Sequence, residues 1–455
     1  MSESATPPSS TAVPALDDRP HPSWMARVVR PAPLIAAGVT ISFAAWSIGD
    51  VLKPAAIDFS PTLTWGSVIY LCWIAAAIGA AHLGFSIVRA QPASTNPTSI
   101  PLTRALHAGL LLTASIGIAY VAWLWYRDEI DVIGLIADNQ ANLLRQAIPL
   151  SPGPATLRYA AIPAAALAIR NIFLFRLRPS PSRLRSVDFL SLIALAIVAV
   201  PSSRLSVLMA LVTAGTLLAH LDNHMPSRRK LLVVIVLTAT ALGALNYSRN
   251  GGYYRVRGVS DPASMLVYQS VSYLGAAFEG GSVTGEVLLG RTTASPVLGF
   301  DNVLDPFVPS FVPGFDSGGS GGISIHEIST IDEALTTNSM FAEITLALGI
   351  VPMLASQLAI FSAAALVGFL LRQRTLASGL AAGPLLYGFV ELWRLNLFND
   401  GLVIFCVASP LLIHVVLKVW ATNRPKSARR VSDPETHLTR TSGPTAAEPT
   451  ATPDR

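Results

Sequence analysis

From Tyr247 to Arg257 the chain reads Tyr-Ser-Arg-Asn-Gly-Gly-Tyr-Tyr-Arg-Val-Arg, so Arg249, Arg255 and Arg257 crowd around a glycine pair and three tyrosines. A guanidinium is a planar, permanently charged fork that fits phosphate. Glycines leave backbone N–H groups open to an anion, and tyrosine rings offer a face to a sugar. The chemistry such a segment suits is the binding of a phosphorylated sugar. Six further arginines, Arg127, Arg145, Arg158, Arg204, Arg291 and Arg394, share its setting: each falls on the expected outward side of an apolar chain or near the outer end of a span. Cations are costly there unless an anion or a water-filled cavity receives them.

Within this set the contexts differ. Arg204 follows Pro201-Ser-Ser in what reads as a very tight outward turn. Arg145 lies in the connection from Asp128 to Pro154, where Ile130, Val132, Ile133, Leu135, Ile136, Leu143, Leu144 and Ile148 pattern as an amphipathic interfacial helix. Arg394 follows Glu391 by one helical turn, a spacing that also suits an internal ion pair. Arg145, Arg204, Arg249, Arg255, Arg257 and Arg394 are the candidate substrate-binding residues. For proton transfer the candidates are His326, beside Glu327 in the longest connection, and Glu343 at the start of the span that follows. Either can take a proton from an acceptor hydroxyl while arginines stabilise a departing diphosphate.

Other reactive types read as structural. His82, His107 and His414 fall inside spans and are expected to be hydrogen-bonded packing residues. Asp128, Glu129 and Asp131 cluster beside Arg127, but acids at a helix start more often serve the helix dipole than a metal. Cys72 and Cys406 are both in spans, with no ligand spacing and no disulfide framework. No metal, cofactor or nucleic-acid partner is expected.

The elements that must position these residues are membrane helices. Mean hydropathy is +0.51. Apolar residues make up 51% of the 455 positions and charged residues 13%, against about 25% in soluble proteins. The fold class expected is an all-α polytopic membrane protein with about ten transmembrane helices and one long outward loop. The spans run Pro33 to Ile48, Trp65 to Val88, Ala105 to Trp125, Leu157 to Phe175, Val187 to Val200, Leu205 to His220, Leu231 to Tyr247, Ser339 to Leu371, Leu376 to Leu397 and Leu402 to Trp420. Lys and Arg concentrate in alternate connections, among them Arg176, Arg178, Arg183, Arg185, Arg228, Arg229, Lys230, Arg372 and Arg374. That bias places both termini in the cytoplasm.

The long connection, residues 248–338, is expected to be a functional outward loop. Asp261-Pro262 reads as a helix start, with the helix stopping at Gly280-Gly281. An aromatic run with proline spacing from Pro306 to Phe315, a Gly-Gly-Ser-Gly-Gly hinge at 318–322 and a Thr330/Glu333 capping box suggest a mobile lid. The eighth span is overlong. Gly349 and Pro352 are its natural break, leaving an outer half-helix that carries Glu343 ahead of the true crossing. Residues 1–30 and 421–455 are expected to be disordered cytoplasmic tails, rich in Pro, Ser, Thr and Ala, on a membrane domain of residues 31–420. No cleavable signal peptide is expected, and no internal repeat of the transporter kind is visible.

The number of spans, the Ser-Ser-Arg-Leu-Ser turn opening the sixth, the loop beginning Tyr-Ser-Arg-Asn-Gly-Gly and the segment Thr336-Thr-Asn-Ser-Met-Phe-Ala-Glu-Ile-Thr-Leu-Ala-Leu-Gly-Ile350 resemble the O-antigen and oligosaccharide repeat-unit polymerases, the Wzy-type integral glycosyltransferases. The resemblance covers residues 30–420 in layout. It implies a cell-membrane enzyme that moves a growing glycan from undecaprenyl diphosphate to a lipid-linked repeat unit, with a chain-length regulator as a partner. It also implies a donor-diphosphate role for Arg204, Arg249, Arg255 and Arg257. An O-antigen ligase would share the layout and differ in acceptor. Another lipid-linked-sugar glycosyltransferase would show paired acids in the first outward loop, where this chain has only Asp50 and Asp58. A lipid or glycan flippase would show charges through mid-bilayer.

Overall fold

The computed structural model describes residues 24–52, 61–89, 100–138, 143–146, 153–174, 182–202, 204–224, 226–256, 258–259, 261–291, 308 and 339–423. Among them the chain is helical, with no strand. A short α1 (Trp24–Val28) leads into α2 (Pro31–Leu52), α3 (Trp65–Arg89) and α4 (Ile100–Arg127). Next come α5 (Val132–Ala137), α6 (Leu143–Gln146), a 3-10 turn (Pro154–Ala160) and α7 (Ala161–Leu174). Then follow α8 (Ser182–Ser202), α9 (Arg204–Thr216), whose last turn widens to π geometry over Leu217–Leu221, and α10 (Arg228–Val256). The chain closes with α11 (Pro262–Leu288), α12 (Met340–Ala347), α13 (Ile350–Arg372), α14 (Leu376–Glu391) and α15 (Gly401–Thr422).

Among the described residues six stretches are long and apolar enough to cross a membrane: Pro31–Gly49, Trp65–Val88, Leu102–Arg127, Pro154–Leu174, Ile350–Arg372 and Gly401–Thr422. Shorter apolar helices cover Ser186–Pro201, Leu205–Leu221 and Leu376–Glu391. Six of the ten expected spans fall on the long stretches and three on the shorter helices, while the tenth, Leu231 to Tyr247, lies within α10, which is in neither group. Leu232, Val236 and Leu237 of α10 are exposed, as are Leu358, Leu412 and Val416 elsewhere. Apolar side chains facing outward on long helices mark a membrane protein, because lipid removes the penalty that water would impose.

Small residues and aromatics build the core. α11 runs alongside α2, where Ser42 Oγ donates to Leu274 O at 2.7 Å and the Trp46 indole N–H donates to Glu279. It is antiparallel to α3: a Cβ on Gly285 would land on the Gly66 carbonyl, and one on Gly281 would meet the Tyr70 ring at 2.7 Å. In a membrane, helices gain little from burying apolar surface against one another, so close backbone approach through small residues supplies the dispersion contact instead. Around this seam Trp46, Tyr70, Trp73, Phe278 and Phe341 interlock, with centroids 4.8 Å apart for Trp46–Phe278 and 5.6 Å for Tyr70–Phe341. α13 follows α3 in parallel, its Met353 carbonyl accepting from Trp73 Nε1 at 3.4 Å. A second core joins α4, α7, α8, α9 and α14 through Leu106, Leu110, Leu167, Leu217 and Leu380.

Several sequence expectations meet the structure here. The helix start at Asp261-Pro262 is observed, Asp261 accepting from Ser264 N at 2.7 Å, but the helix does not stop at Gly280-Gly281. It continues to Leu288 because both glycines are buried in the bundle, Gly281 against the Tyr70 ring of α3, and packing outweighs their low intrinsic helix propensity. Likewise α10 runs through Gly251-Gly252 to Val256, so the arginine-rich segment is helical rather than the first stretch of a loop. The break before the eighth crossing occurs at Leu348-Gly349, with Gly349 at φ 111°, a backbone conformation only glycine adopts freely. The described residues from Trp24 onward reach into the expected tail, where Ala26 is buried and the Val29 carbonyl is held by His220 at 2.6 Å. The expected interfacial helix after Asp128 comes as the two short pieces α5 and α6. α8 ends at Ser202 and α9 begins at Arg204, and the residue between them, where the tight turn was expected, lies outside the described residues. The lid elements at 318–322 and 330–333 lie outside the described residues, as do both tails apart from residues 24–30 and 421–423; of the run from Pro306 to Phe315 only residue 308 is described.

Candidate functional site

α12 is a one-sided capped helix pressed into the bundle just ahead of the crossing helix α13. Its N-cap, Ser339, is buried, sits at φ 66°, and accepts from Ala342 N at 3.1 Å. A left-handed backbone at a non-glycine residue is strained and persists only where surrounding contacts enforce it. Here the enforcing contacts are Met340, Phe341 and Ala342, all fully buried. Glu343 lies in the first turn, and its Oε2 accepts from the backbone N–H of Asn396 at 3.1 Å. Burial pushes its carboxyl up to about 7, while the Asn396 amide pulls in the opposite direction. Among the described residues no cation is placed within ion-pair distance of it.

The turn that holds Glu343 also carries Arg394. Arg394 Nε donates to Glu391 Oε2 at 2.6 Å, the Tyr387 hydroxyl donates to Glu391 Oε1 at 2.6 Å, and the guanidinium lies 4.6 Å over the Tyr273 ring. Sequence spacing offered Arg394 as either a ligand residue or an internal pair; the geometry is the internal pair, 2% exposed. Its effect on the site is indirect. The pair fixes the 391–396 turn, and that turn presents the Asn396 amide to Glu343.

The remaining candidates are not brought to this point by described contacts. Arg255 is exposed, with its guanidinium 5.9 Å from the Tyr247 ring centroid. The side chains of Arg145, Arg204 and Arg249 lie outside the described residues, and so do Arg257 and His326. Arg127 pairs with its neighbour Asp128 at 2.7 Å, and this hydrogen bond holds the Asp128 carboxyl below the usual carboxylate range. Asp131 caps α5 by accepting from Gly134 N at 2.8 Å. Two of the three clustered acids are therefore spent locally, and no grouping of ligand residues suited to a metal exists among the described residues.

One arrangement superficially resembles a hydrolytic triad. His107 Nε2 is 3.0 Å from Ser191 Oγ, and its Nδ1 is 3.7 Å from Asp188 Oδ1. Ser191 is fully buried and gives its own proton to Val187 O at 2.8 Å, so it has no proton to yield and no open face for a substrate. Asn171 donates to Asp188 at 2.9 Å. The group is a polar tie between α4, α7 and α8, which fits the packing role expected of His107.

Arg158 was outside the candidate set and turns out to be the most unusual cation. It is buried, at 7% exposure, one turn into an apolar stretch. Its Nη2 donates to the Tyr159 hydroxyl at 2.8 Å, whereas Nε and Nη1 have no hydrogen-bond partner among the described residues. The sequence signal available for it was an arginine on an otherwise apolar span. No family model matches this chain, and comparison with curated proteins and with solved structures finds no similar one.

Proposed function

We propose that this membrane protein is a glycan polymerase that moves a growing oligosaccharide from a polyprenyl diphosphate donor to a lipid-linked repeat unit at the outer leaflet of the cell membrane, both termini being cytoplasmic. The observation that carries the reading is Glu343: a carboxyl raised to near neutrality, held by one backbone amide, directly after the long connection and ahead of a crossing helix. A general base works best when its affinity for a proton matches the working pH. In the proposed step the acceptor hydroxyl oxygen bonds to the anomeric carbon of the donor sugar as the bond from that carbon to the diphosphate oxygen breaks. The electron pair leaves with the diphosphate, and the hydroxyl proton passes to Glu343. Arg204, Arg249, Arg255 and Arg257 are assigned the departing charge, a role in which a fixed guanidinium stabilises the transition state more than the ground state. His326 remains the other base candidate.

The test is mass analysis of lipid-linked and surface glycans in a deletion strain. A polymerase acts after repeat units have crossed the membrane, so single units should still be made and exported while chain extension disappears. Long chains accumulating on the lipid carrier would instead identify a ligase, and units confined to the inner leaflet a flippase. Either result sinks the proposal.

A further inference from the structure

The 3-10 turn Pro154–Ala160 buries Arg158 with two of its donors, Nε and Nη1, unanswered among the described residues. α4 packs so closely on this turn that a Cβ at Gly117 would collide with the Arg158 backbone nitrogen, and the Arg158 side chain is itself buried. The Tyr159 ring lies beneath it, 4.7 Å from ring centroid to guanidinium carbon, and the Tyr159 hydroxyl accepts from Nη2 while keeping its own proton to give. On the next turns of α4, Val121 clusters with Ala155 of the same 3-10 turn, and Trp125 packs against that cluster. The Trp125 indole N–H is buried and also has no partner. A buried charge with unmet donors is among the least favourable features a fold can carry, and an anion with several acceptor oxygens answers both the charge and the donors at once.

We propose that Arg158, Tyr159 and Trp125 form a binding site for a phosphate-type oxyanion, presented by an anionic lipid headgroup or free in solution. Depth suits this chemistry. Arg158 lies about 8 Å along the 3-10 turn from Pro154, where the apolar stretch begins, so its guanidinium is within reach of headgroup phosphates. The phosphate oxygens accept from Nε, Nη1 and the Trp125 indole, and the Tyr159 ring keeps the guanidinium plane fixed. The proposal does not depend on the polymerase reading.

The experiment uses the full-length protein purified in a neutral detergent and moved into nanodiscs of pure phosphatidylcholine. Three probes are added separately: phosphatidylglycerol in the nanodisc, inorganic phosphate and inorganic diphosphate. Thermal midpoint and retained phosphate by native mass spectrometry are read for wild type, Arg158→Met and Trp125→Phe. Wild type should gain stability with at least one probe, Arg158→Met should lose that gain, and Trp125→Phe should bind about tenfold more weakly. A response to phosphatidylglycerol alone identifies a lipid headgroup, and a response to phosphate or diphosphate identifies a soluble anion; both support the site. Because Trp125→Phe keeps the ring and the packing, it remains informative if Arg158→Met folds poorly. Wild type unmoved by all three probes, or both variants responding as wild type does, would overturn the proposal.

Discussion

Arg158 and Arg170 stand on one continuous helical stretch, both nine-tenths buried or more, yet the protein treats them in opposite ways. Arg170 gives Nε and Nη2 to the two oxygens of Asp222 at 2.6 and 2.5 Å, a side-on pair that locks α7 to the π turn ending α9. Arg158 has a single neutral acceptor and unmet donors. The carboxylates repeat the contrast: Glu391 is closed by Arg394 and Tyr387, while Glu343 has an amide and an elevated proton affinity. Charges answered within the fold hold helices together; charges left for something else are where chemistry or binding belongs. A closed pair can be broken only at a cost to stability, whereas an open group can be removed with the fold intact.

The largest effect expected from that contrast is at Glu343. Glu343→Gln should lower chain extension by about 10²–10⁴-fold with protein abundance unchanged, measured on membranes supplied with lipid-linked repeat units. In the wild type the rate should fall as pH drops through about 7, because protonation removes the base, and this acid limb should be missing from the residual rate of the variant. A wild-type rate in Glu343→Gln would move the role of base to His326.

Asp222→Ala should come next, destabilising the protein by about 3–5 kcal/mol through the stranded Arg170 charge, as read from thermal or denaturant unfolding in detergent. If unfolding is unchanged, Arg170–Asp222 is not the closed pair described here. Smaller again, Gly285→Ala should cost about 1–3 kcal/mol by forcing α11 away from Gly66 of α3, while Gly252→Ala, which meets nothing, should leave stability unchanged or slightly raised. Equal behaviour of the two variants would remove the α3–α11 contact as the reason for a helical Gly280-Gly281. The smallest effect should be Arg158→Met in anion-free detergent, within about 1 kcal/mol of wild type, since an apolar side chain of similar length relieves the unmet donors. A loss as large as that of Asp222→Ala would place Arg158 among the structural pairs.

Features governed by local or averaged forces could be read from the sequence. Hydropathy alone marks a helical membrane chain, since a backbone in lipid must satisfy its own hydrogen bonds. Asp261 as a cap and Gly349 as a break were visible because each depends on its own few residues, and the Glu391/Arg394 spacing carried the ion pair as one of two readings. Only the tertiary structure decided the rest. Gly280-Gly281 and Gly251-Gly252 look like stops by propensity, and become helical because neighbours far away in sequence, or the helix itself, supply what the glycines lack. Nothing in the run of residues around Arg158 and Arg170 tells which guanidinium has a carboxylate waiting. Asp222 comes from another helix, and no described acid reaches Arg158, so the balance of each charge is a property of how the helices meet.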